Sequence, residues 1–452
     1  MSERYHCQWA WLPPGRVAAD VLLTASDGRL TAVEPGVARP PGAHARPGLT
    51  LPGLANAHSH AFHRARRGRT HTGRGSFWAW REAMYALGGR LDPDTYGALA
   101  RAVFAEMALA GFTSVGEFHY LHHGADGRRY DDANAVGHAL VAAAREAGVR
   151  LCLLDACYLT GGIGAPLEGV QRRFGDGDAE RWSARVDDLA AAYRDAGDVV
   201  VGAAAHSVRA VPPGQLPTVA AWARAAGAPL HAHLSEQPAE NAACQQAYGA
   251  SPTTVLAEAG VWQERATAVH AIHLDAVDVA VLGAAGANAC LCPTTERDLA
   301  DGVAPAAALR RAGARLTLGT DSHAHIDGFE EARAAELDLR LVTGERGSLD
   351  RGDLLTALTA DGQASLGFDD AGALAVGARA DLVTVRLDSV RTAGVAPGPG
   401  EPADLAADGA LCAASAADVT DVTVDGRAVV TGGRHVLGDV AGLLTAALEG
   451  LR

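Results

Sequence analysis

The sequence predicts an α/β protein: a (β/α)8 barrel with a small β-sandwich-like domain built from both ends of the chain. First, eight apolar, strand-like segments alternate with Ala-rich helical runs through the middle of the sequence. Second, both ends alternate short apolar stretches with turn residues. Third, histidines and carboxylates recur where the strand-like segments end, which is the catalytic face of such a barrel.

Composition narrows the class of protein further. The chain has 452 residues, 48% of them apolar, which is enough for one large and one smaller domain. A net charge of -14 argues against nucleic acid as a partner, because binding nucleic acid needs a basic face. No apolar stretch is long and uninterrupted enough for a membrane span, and the N-terminus lacks a signal-peptide pattern. We therefore expect a cytoplasmic protein.

The two ends of the chain predict one composite domain. Residues 1–50 contain a hairpin signal, Ser-Asp-Gly at 26–28, and residues 372–452 contain another, Val-Asp-Gly at 424–426. The simplest arrangement joins these β-rich ends in a small β domain, with residues 51–371 forming the barrel. The eight strands predicted for that barrel are residues 51–58, 112–118, 149–157, 199–206, 228–234, 266–273, 288–293 and 314–321.

Ligand-type side chains lie at the ends of strands one, five, six and eight. His58 and His60 form a His-x-His pair, whose rings share one face of a strand. His233 and Asp321 complete a nitrogen and oxygen set that suits a catalytic divalent metal, with zinc favoured. Glu236 and His270 remain as proton carriers. This pattern predicts a metal-dependent hydrolase.

The absence of lysine constrains the metal centre. All 39 residues counted as Lys or Arg are arginine, so a modified lysine cannot bridge two metals. We therefore expect one metal ion per subunit, zinc or else iron or manganese, which can share such ligands. Seven cysteines without a Cys-x-x-Cys pair predict core residues rather than a disulfide scaffold.

Several other polar residues are expected to lie in loops, in supporting positions or in the core. The long connection 64–85 after strand one is predicted to be a loop that carries at least one substrate contact. His231, His323 and His325 are expected to support neighbouring residues or lie in loops, and His273 to pack. His122 and His123 are expected to be solvated, and Glu117 to be a core carboxylate held by hydrogen bonds.

Seven segments together identify a family resemblance. They are PGLANAHSHAF, GSFWAWREAMY, GEFHYLHH, HSVRAV, HAHLSEQ, AVHAIHL and GTDSHAHID. The chain resembles the amidohydrolase superfamily and, within it, the formimidoylglutamate deiminases. The resemblance implies a barrel with a metal at the strand ends, and a homodimer.

The resemblance also implies roles for particular residues. Metal binding falls to His58, His60, His233 and Asp321, and catalysis to Glu236, His270 and Asp321. Substrate contacts fall to Arg81, Tyr120, His206 and Arg209. His63 stands where the family pattern has glutamine, and it is counted with the substrate contacts.

The implied reaction is the hydrolysis of N-formimino-L-glutamate to N-formyl-L-glutamate and ammonia, a step of histidine degradation. Arginine is the expected partner of such a small dicarboxylate, because its planar fork binds a carboxylate through two hydrogen bonds. One alternative is a deaminase of an aminated heterocycle such as guanine, adenosine or cytosine, which an aromatic content of only 5% disfavours. Another is a catalytically inactive assembly protein, which has no need of a complete ligand set.

Overall fold

Residues 2–69 and 77–451 are described by the structure, a computed structural model, with only the backbone described for 77–81 and 83. The described residues form sixteen strands. They are β1 (Glu3–Leu12), β2 (Arg16–Ser26), β3 (Arg29–Glu34), β4 (His44–Pro52), β5 (Leu54–Ser59), β6 (Phe112–His119), β7 (Arg150–Cys157), β8 (Val199–Ala205), β9 (Leu230–Leu234), β10 (Ala266–His270), β11 (Asn288–Leu291), β12 (Arg315–Leu318), β13 (Leu382–Val385), β14 (Val419–Val424), β15 (Arg427–Thr431) and β16 (Arg434–His435).

The same residues form fifteen α-helices, most of them between consecutive strands of the middle region. They are α1 (Phe77–Gly88), α2 (Pro93–Leu109), α3 (Ala135–Ala147), α4 (Ala179–Tyr193), α5 (Leu216–Ala226), α6 (Pro238–Tyr248), α7 (Pro252–Glu258), α8 (Ala276–Ala284), α9 (Pro293–Leu299), α10 (Ala306–Ala312), α11 (Gly328–Thr343), α12 (Arg351–Leu358), α13 (Ala360–Ser365), α14 (Leu405–Ala413) and α15 (Val440–Glu449).

Local sequence signals set several helix ends. The α2 helix begins after Asp92, whose side chain accepts a hydrogen bond from the Thr95 backbone, while the Thr95 hydroxyl bonds back to Asp92 N. Pro93 occupies the first helical position, where no backbone donor is needed. The α5 helix ends at Gly227, which takes the left-handed conformation at φ 61°.

Strands β5 to β12 pair in sequence order, all parallel, as a (β/α)8 barrel requires. The first and last strands meet where Thr320 N and Asp321 N donate to His58 O at 3.1 and 3.0 Å. Gly319 permits this approach, because a Cβ there would lie 2.8 Å from the Cβ of His58. The predicted barrel and its eight strands are confirmed, and their C-terminal ends converge on one side.

The second sheet contains strands from both ends of the chain, in the order β16-β15-β14-β13-β4-β1-β2-β3. Both predicted hairpins are present, with Asp27-Gly28 joining β2 to β3 and Asp425-Gly426 joining β14 to β15. All four turn residues have positive φ, as a tight two-residue hairpin requires. The composite sheet is confirmed, whereas the domain boundaries at 50/51 and 371/372 stay a prediction.

The barrel and the composite sheet are joined covalently and by a buried ion pair. Gly53 alone separates β4 from β5, and a Cβ there would lie 2.2 Å from the Thr113 hydroxyl. Arg150, at the start of β7, donates two hydrogen bonds to Asp381, just before β13. Both side chains are 1% exposed, so this end of the barrel is fixed to the sheet away from the strand ends that carry the histidines.

The prediction of a continuous loop at 64–85 is wrong in its second half. A short 3-10 helix covers Ala61–Arg66, and α1 begins at Phe77. Apolar residues recurring at helical spacing, with no proline or internal glycine before Gly88, account for the helix. Within the described residues, no helix is both long and apolar enough to cross a membrane.

Candidate active site

Four side chains from opposite ends of the barrel sequence converge at the C-terminal end of its strands. His58 and His60 come from β5, His233 from β9, and Asp321 from the residues after β12. Asp321 Oδ1 lies 3.4 Å from His58 Nε2 and 3.3 Å from His60 Nε2. His233 Nε2 lies 3.2 Å from His58 Nε2. The structure therefore brings together all four predicted metal ligands.

Backbone carbonyls fix which ring nitrogen is available on two of these histidines. His60 Nδ1 donates to Phe118 O at 2.9 Å, and His233 Nδ1 donates to His206 O at 3.0 Å. The protons are thereby held on Nδ1, and the Nε2 lone pairs face the cluster. Lone pairs directed at one another and at a carboxylate repel unless a cation lies between them. The donor set thus fits a divalent metal.

Charge states in the cluster also fit a metal. Burial lowers the pKa of His58 to about 3, so the ring is neutral at pH 7. Burial alone would raise the pKa of Asp321, but its hydrogen bond to His58 and the neighbouring His60 and His270 hold that pKa well below its usual range. Neutral imidazoles and an ionised carboxylate are the forms that coordinate a metal.

The predicted proton carriers flank this cluster. His270, at the end of β10, places Nε2 4.0 Å from Asp321 Oδ2 and 3.8 Å from Glu236 Oε1. Its other nitrogen, Nδ1, lies 3.3 Å from Glu296 Oε1. Burial lowers the pKa of His270, but Glu236, Glu296 and Asp321 outweigh burial and raise that pKa to about 10. His270 therefore presents a cationic N–H donor beside the two carboxylates.

Four of the five predicted substrate contacts surround the same space. Tyr120 and His63 contact each other, with the Tyr120 hydroxyl 3.0 Å from His63 Nε2. The His206 ring lies beside Tyr158, with ring centroids 4.4 Å apart. Arg209 pairs with two carboxylates, Glu236 and Glu240. The fifth contact, Arg81, belongs to α1, and its side chain lies outside the described residues.

These residues line one cavity of about 410 Å³, which also includes residues of the metal-type cluster, the group formed by His58, His60, His233 and Asp321. Its polar lining contains His60, His233, Glu236, His270, Asp321 and Arg209. Its lining also contains apolar and aromatic side chains, those of Met84, Tyr85, Tyr120, Tyr158, Ile163 and Phe174. The volume is in the range of small-molecule sites. The arrangement can bind a metal, activate water, move a proton and hold an anionic or planar substrate.

Several predicted supporting roles are confirmed. Glu117 is a buried carboxylate that accepts hydrogen bonds from Ser59 Oγ, Ala61 N and Tyr96 OH. Burial raises the pKa of Glu117 to about 7. His231 donates from Nε2 to Ser365 O below the cluster.

His273, His323 and His325 also lie outside the metal-type cluster. His323 lies between Ser59 Oγ at 3.2 Å and the Thr320 hydroxyl at 2.9 Å. His325 is exposed in the loop that follows. His273 donates from Nε2 to Asp301 O at 2.9 Å. Each of the three has the supporting, loop or packing place that was expected.

The prediction that His122 and His123 are solvated is wrong. Both are 1% exposed. His122 donates from Nε2 to Ala156 O at 2.9 Å, and His123 pairs with Asp176 at 3.1 Å. Asp176 in turn pairs with Arg185 on α4, which covers this loop. The covering residues lie more than 50 positions away, so the local sequence carries no sign of them.

Two acidic residues that contact the predicted site residues were not identified from the sequence. Glu240 lies in the first turn of α6 and contacts Arg209, and Glu296 lies in the first turn of α9 and contacts His270. Each glutamate follows a barrel strand and opens a helix, so it lies at the catalytic end. That position, rather than a motif, is the signal that could have marked them.

Comparisons with known proteins agree with this geometry. Residues 49–433 match the amidohydrolase family. The formimidoylglutamate deiminase of Pseudomonas aeruginosa is 38% identical over 437 residues, with 94% of each chain covered. The 8-oxoguanine deaminase of the same organism is 31% identical, with 88% of this chain and 85% of that protein covered.

A solved structure shares the whole fold. The amidohydrolase from Brucella melitensis superposes with a TM-score of 0.91 at 33% identity, over 99% of both chains. The barrel closed at His58, the convergent histidines and the family match over residues 49–433 lead to one conclusion. This chain belongs to the amidohydrolase family and is a metal-dependent hydrolase of C–N bonds.

Proposed function

We propose that this enzyme hydrolyses N-formimino-L-glutamate to N-formyl-L-glutamate and ammonia. The observation that carries the proposal is the place of Arg209, in the wall of the cavity that also contains Glu236, His270 and the metal-type cluster. An arginine at that place can bind a substrate carboxylate while the formimino carbon lies at the cluster. The 38% identical formimidoylglutamate deiminase supports the same substrate.

We propose that His58, His60, His233 and Asp321 hold one metal ion. Imidazole and carboxylate ligands suit zinc best, and iron or manganese can use the same set. When bound, such an ion supplies a Lewis acid that lowers the pKa of a water ligand to about 7. The absence of lysine leaves no modified lysine to bridge a second ion.

The protein's own groups then divide the proton transfers. Asp321 accepts a proton from the attacking water as the new C–O bond forms at the formimino carbon. That proton passes through Glu236 to the formimino nitrogen. As the C–N bond breaks, the proton of the new hydroxyl follows through the same carboxylates, so that the nitrogen leaves as ammonia and the formyl C=O forms. A positioned general acid of this kind typically contributes ~10² to 10⁴ in rate. His270, a cationic donor beside both carboxylates, stabilises the charge that develops in the transition state.

The substrate contacts place the two carboxylates of the substrate away from the reacting carbon. Arg209 is proposed to bind one of them, and Arg81 from α1 the other. Tyr120, His206 and His63 line the same cavity as Arg209 and are proposed to hydrogen-bond the remaining polar atoms of the substrate. The homodimer expected from the family resemblance stays a prediction.

One observation favours a second candidate substrate class. Although aromatic residues are scarce in the chain, Tyr85, Tyr120, Tyr158 and Phe174 all line the cavity. A planar heterocycle could pack against these rings. The 31% identical 8-oxoguanine deaminase acts on such a compound. Deamination of an aminated base is therefore the alternative activity, and an experiment must distinguish it from hydrolysis of N-formimino-L-glutamate.

A substrate panel tests the proposal. Purified, zinc-loaded enzyme is assayed for ammonia release from N-formimino-L-glutamate, guanine, 8-oxoguanine, adenosine and cytosine. We expect turnover of the formimino compound and little from the bases. Metal-stripped enzyme should be inactive and should recover on addition of zinc. Turnover of a base alone would refute the substrate, and equal rates with and without metal would refute the mechanism.

The Glu236→Gln variant is the control for the chemistry. It removes the acid that protonates the leaving nitrogen while leaving His58, His60 and His233 in place. We expect turnover to fall by about 10² to 10⁴ with metal content unchanged. Full activity in this variant would exclude Glu236 as the proton carrier.

A further inference from the structure

Arg209 contacts two carboxylates that lie four residues apart in the chain. Its Nε lies 2.8 Å from Glu240 Oε2, and its Nη2 lies 3.4 Å from Glu236 Oε2. The nearer partner, Glu240, has a side chain that is 1% exposed. A single guanidinium therefore sits between a carboxylate with a proposed proton-transfer role and one without any such role.

Glu240 also holds the backbone that presents Glu236. Glu240 Oε1 accepts a hydrogen bond from Ser235 N at 2.9 Å, and Ser235 O accepts one from His273 N at 3.0 Å. Ser235 has φ 48°, a left-handed conformation that a serine adopts at a cost in free energy. The strained residue is thus bonded at both its N–H and its C=O, directly before Glu236.

The charges around Arg209 make Glu240 important for function. A buried arginine is drawn to whichever carboxylate is closest, since the surroundings screen the attraction poorly. If Glu240 were neutral, Glu236 would be the one remaining described carboxylate paired with Arg209. Arg209 would then move onto Glu236. With that contact formed, Arg209 could no longer bind the substrate carboxylate. Glu236 could no longer take part in proton transfer.

We propose that Glu240 is a positioning residue: its 2.8 Å ion pair with the Nε of Arg209 limits Arg209 to the longer, 3.4 Å contact with Glu236. Arg209 can then bind the substrate carboxylate, and Glu236 can protonate the leaving nitrogen. This inference rests on the proposed roles of those two residues. It adds a third carboxylate to the site, one that acts through Arg209.

The Glu240→Gln variant tests the charge alone. Glutamine keeps an oxygen to accept the Ser235 N–H but no longer attracts Arg209. We expect kcat to fall and KM for N-formimino-L-glutamate to rise, with kcat/KM reduced by roughly 30-fold. Glu240→Asp, which restores the charge on a shorter side chain, should recover part of this loss.

A double-mutant cycle with Arg209→Met separates positioning from a general structural effect. If Glu240 acts through Arg209, adding Glu240→Gln to Arg209→Met should change KM by less than about 3-fold. Independent, multiplying effects of the two substitutions would overturn the proposal. So would a Glu240→Gln variant with wild-type kcat and KM.

Glu336→Gln is a matched control in another part of the molecule. Glu336 on α11 also accepts backbone hydrogen bonds, from Gly347 N and Leu349 N, and lies 2.8 Å from the Nε of Arg340. This substitution should lower the melting temperature without changing kcat or KM. A kinetic effect as large as that of Glu240→Gln would show that any buried glutamate acts in this way, and would overturn the proposal.

The substrate panel distinguishes a failure of the proposed substrate from a failure of the proposed role of Glu240. The cycle is run on N-formimino-L-glutamate or, if the wild type instead turns over a base, on that base. In the second case the proposed substrate fails, yet a loss of kcat in Glu240→Gln still supports the positioning of Arg209 relative to Glu236. An unchanged kcat on the substrate that the wild type uses overturns it.

Discussion

A single buried histidine below the cluster links stability to pH. His231 shares its strand face with His233, yet its ring bonds to Ser365 O, away from the cavity. Burial lowers the pKa of His231 from its ordinary value of 6.5 to about 4, and the bond to Ser365 opposes burial only in part. The folded chain therefore binds fewer protons at this site than the unfolded chain between pH 6.5 and 4.

We expect the stabilising effect of neutral His231 to be complete above pH 6.5 and to be lost as the pH falls toward 4. His231→Asn cannot titrate in this range but can still donate to Ser365 O. Between pH 7.5 and pH 5 the wild type should lose roughly 2 kcal/mol more than this variant. Urea unfolding of both metal-free proteins at pH 7.5, 6 and 5 measures the difference. Parallel pH profiles would contradict the assignment.

At the residue scale, the sequence predicted side chains that the structure brings together in one cluster, but it missed two of the residues that support them. His58, His60, His233 and Asp321 could be found because strand periodicity and barrel topology place them at one edge. Glu240 and Glu296 support Arg209 and His270 from helix starts. Nothing in their spacing distinguishes them from ordinary acidic residues in a first helical turn, which the helix dipole favours in any case.

The α4 helix is held on the barrel by a buried charge network. Arg185, which is 6% exposed, donates to Asp155 on β7 through two nitrogens at 2.8 Å and also pairs with Asp176 at 2.9 Å. Trp182 Nε1 adds a hydrogen bond to Asp155 at 3.0 Å. Arg185 is thus a cation shared by two buried carboxylates.

Arg185→Met should lower the free energy of unfolding by about 3 to 5 kcal/mol, because both carboxylates would lose this buried partner. Arg181→Met, on the same helix, removes an arginine with a 67% exposed side chain and should cost less than about 0.5 kcal/mol. Chemical denaturation of the two variants beside the wild type measures both effects. Equal, small losses would show that the network adds little.

At the element scale, strand and hairpin positions followed from apolar alternation and from Asp-Gly turns. Errors arose where distant residues decide the environment. The loop at His122 and His123 looks polar in sequence, and it becomes buried because Asp176 and Arg185 arrive from a later part of the chain. The connection after β5 reads as a loop because arginines and glycines dominate its first part, whereas the helical spacing begins only at Phe77.

The barrel and the composite sheet depend on Arg150 and Asp381. Their two hydrogen bonds join residues 231 positions apart, and Asp425 adds a third contact to Arg150 at 3.2 Å. No local pattern predicts such a pair. The sequence predicted that both ends of the chain form one sheet, and it contained no sign of how that sheet is fixed to the barrel.

Arg150→Met should destabilise the whole protein by about 3 to 5 kcal/mol, because Asp381 would remain buried without its cation. Zinc content should not change, since Arg150 begins β7 while the metal-type cluster lies beyond the opposite strand ends. Arg29→Met removes an exposed pair with Asp370 and should cost under about 1 kcal/mol. Loss of zinc in Arg150→Met at full folding would contradict this separation.

The contact between the first and last barrel strands, β5 and the residues after β12, also determines when during synthesis the site can form. The bond between Asn56 and Thr320 is part of this contact and spans 264 residues of sequence. A chain emerging from the ribosome exposes His58 and His60 long before Asp321 has been synthesised. Nascent chains, and chains truncated before residue 321, therefore carry only part of the proposed ligand set. We therefore expect high-affinity metal binding only late in folding. A bound ion then indicates that the first and last barrel strands have paired.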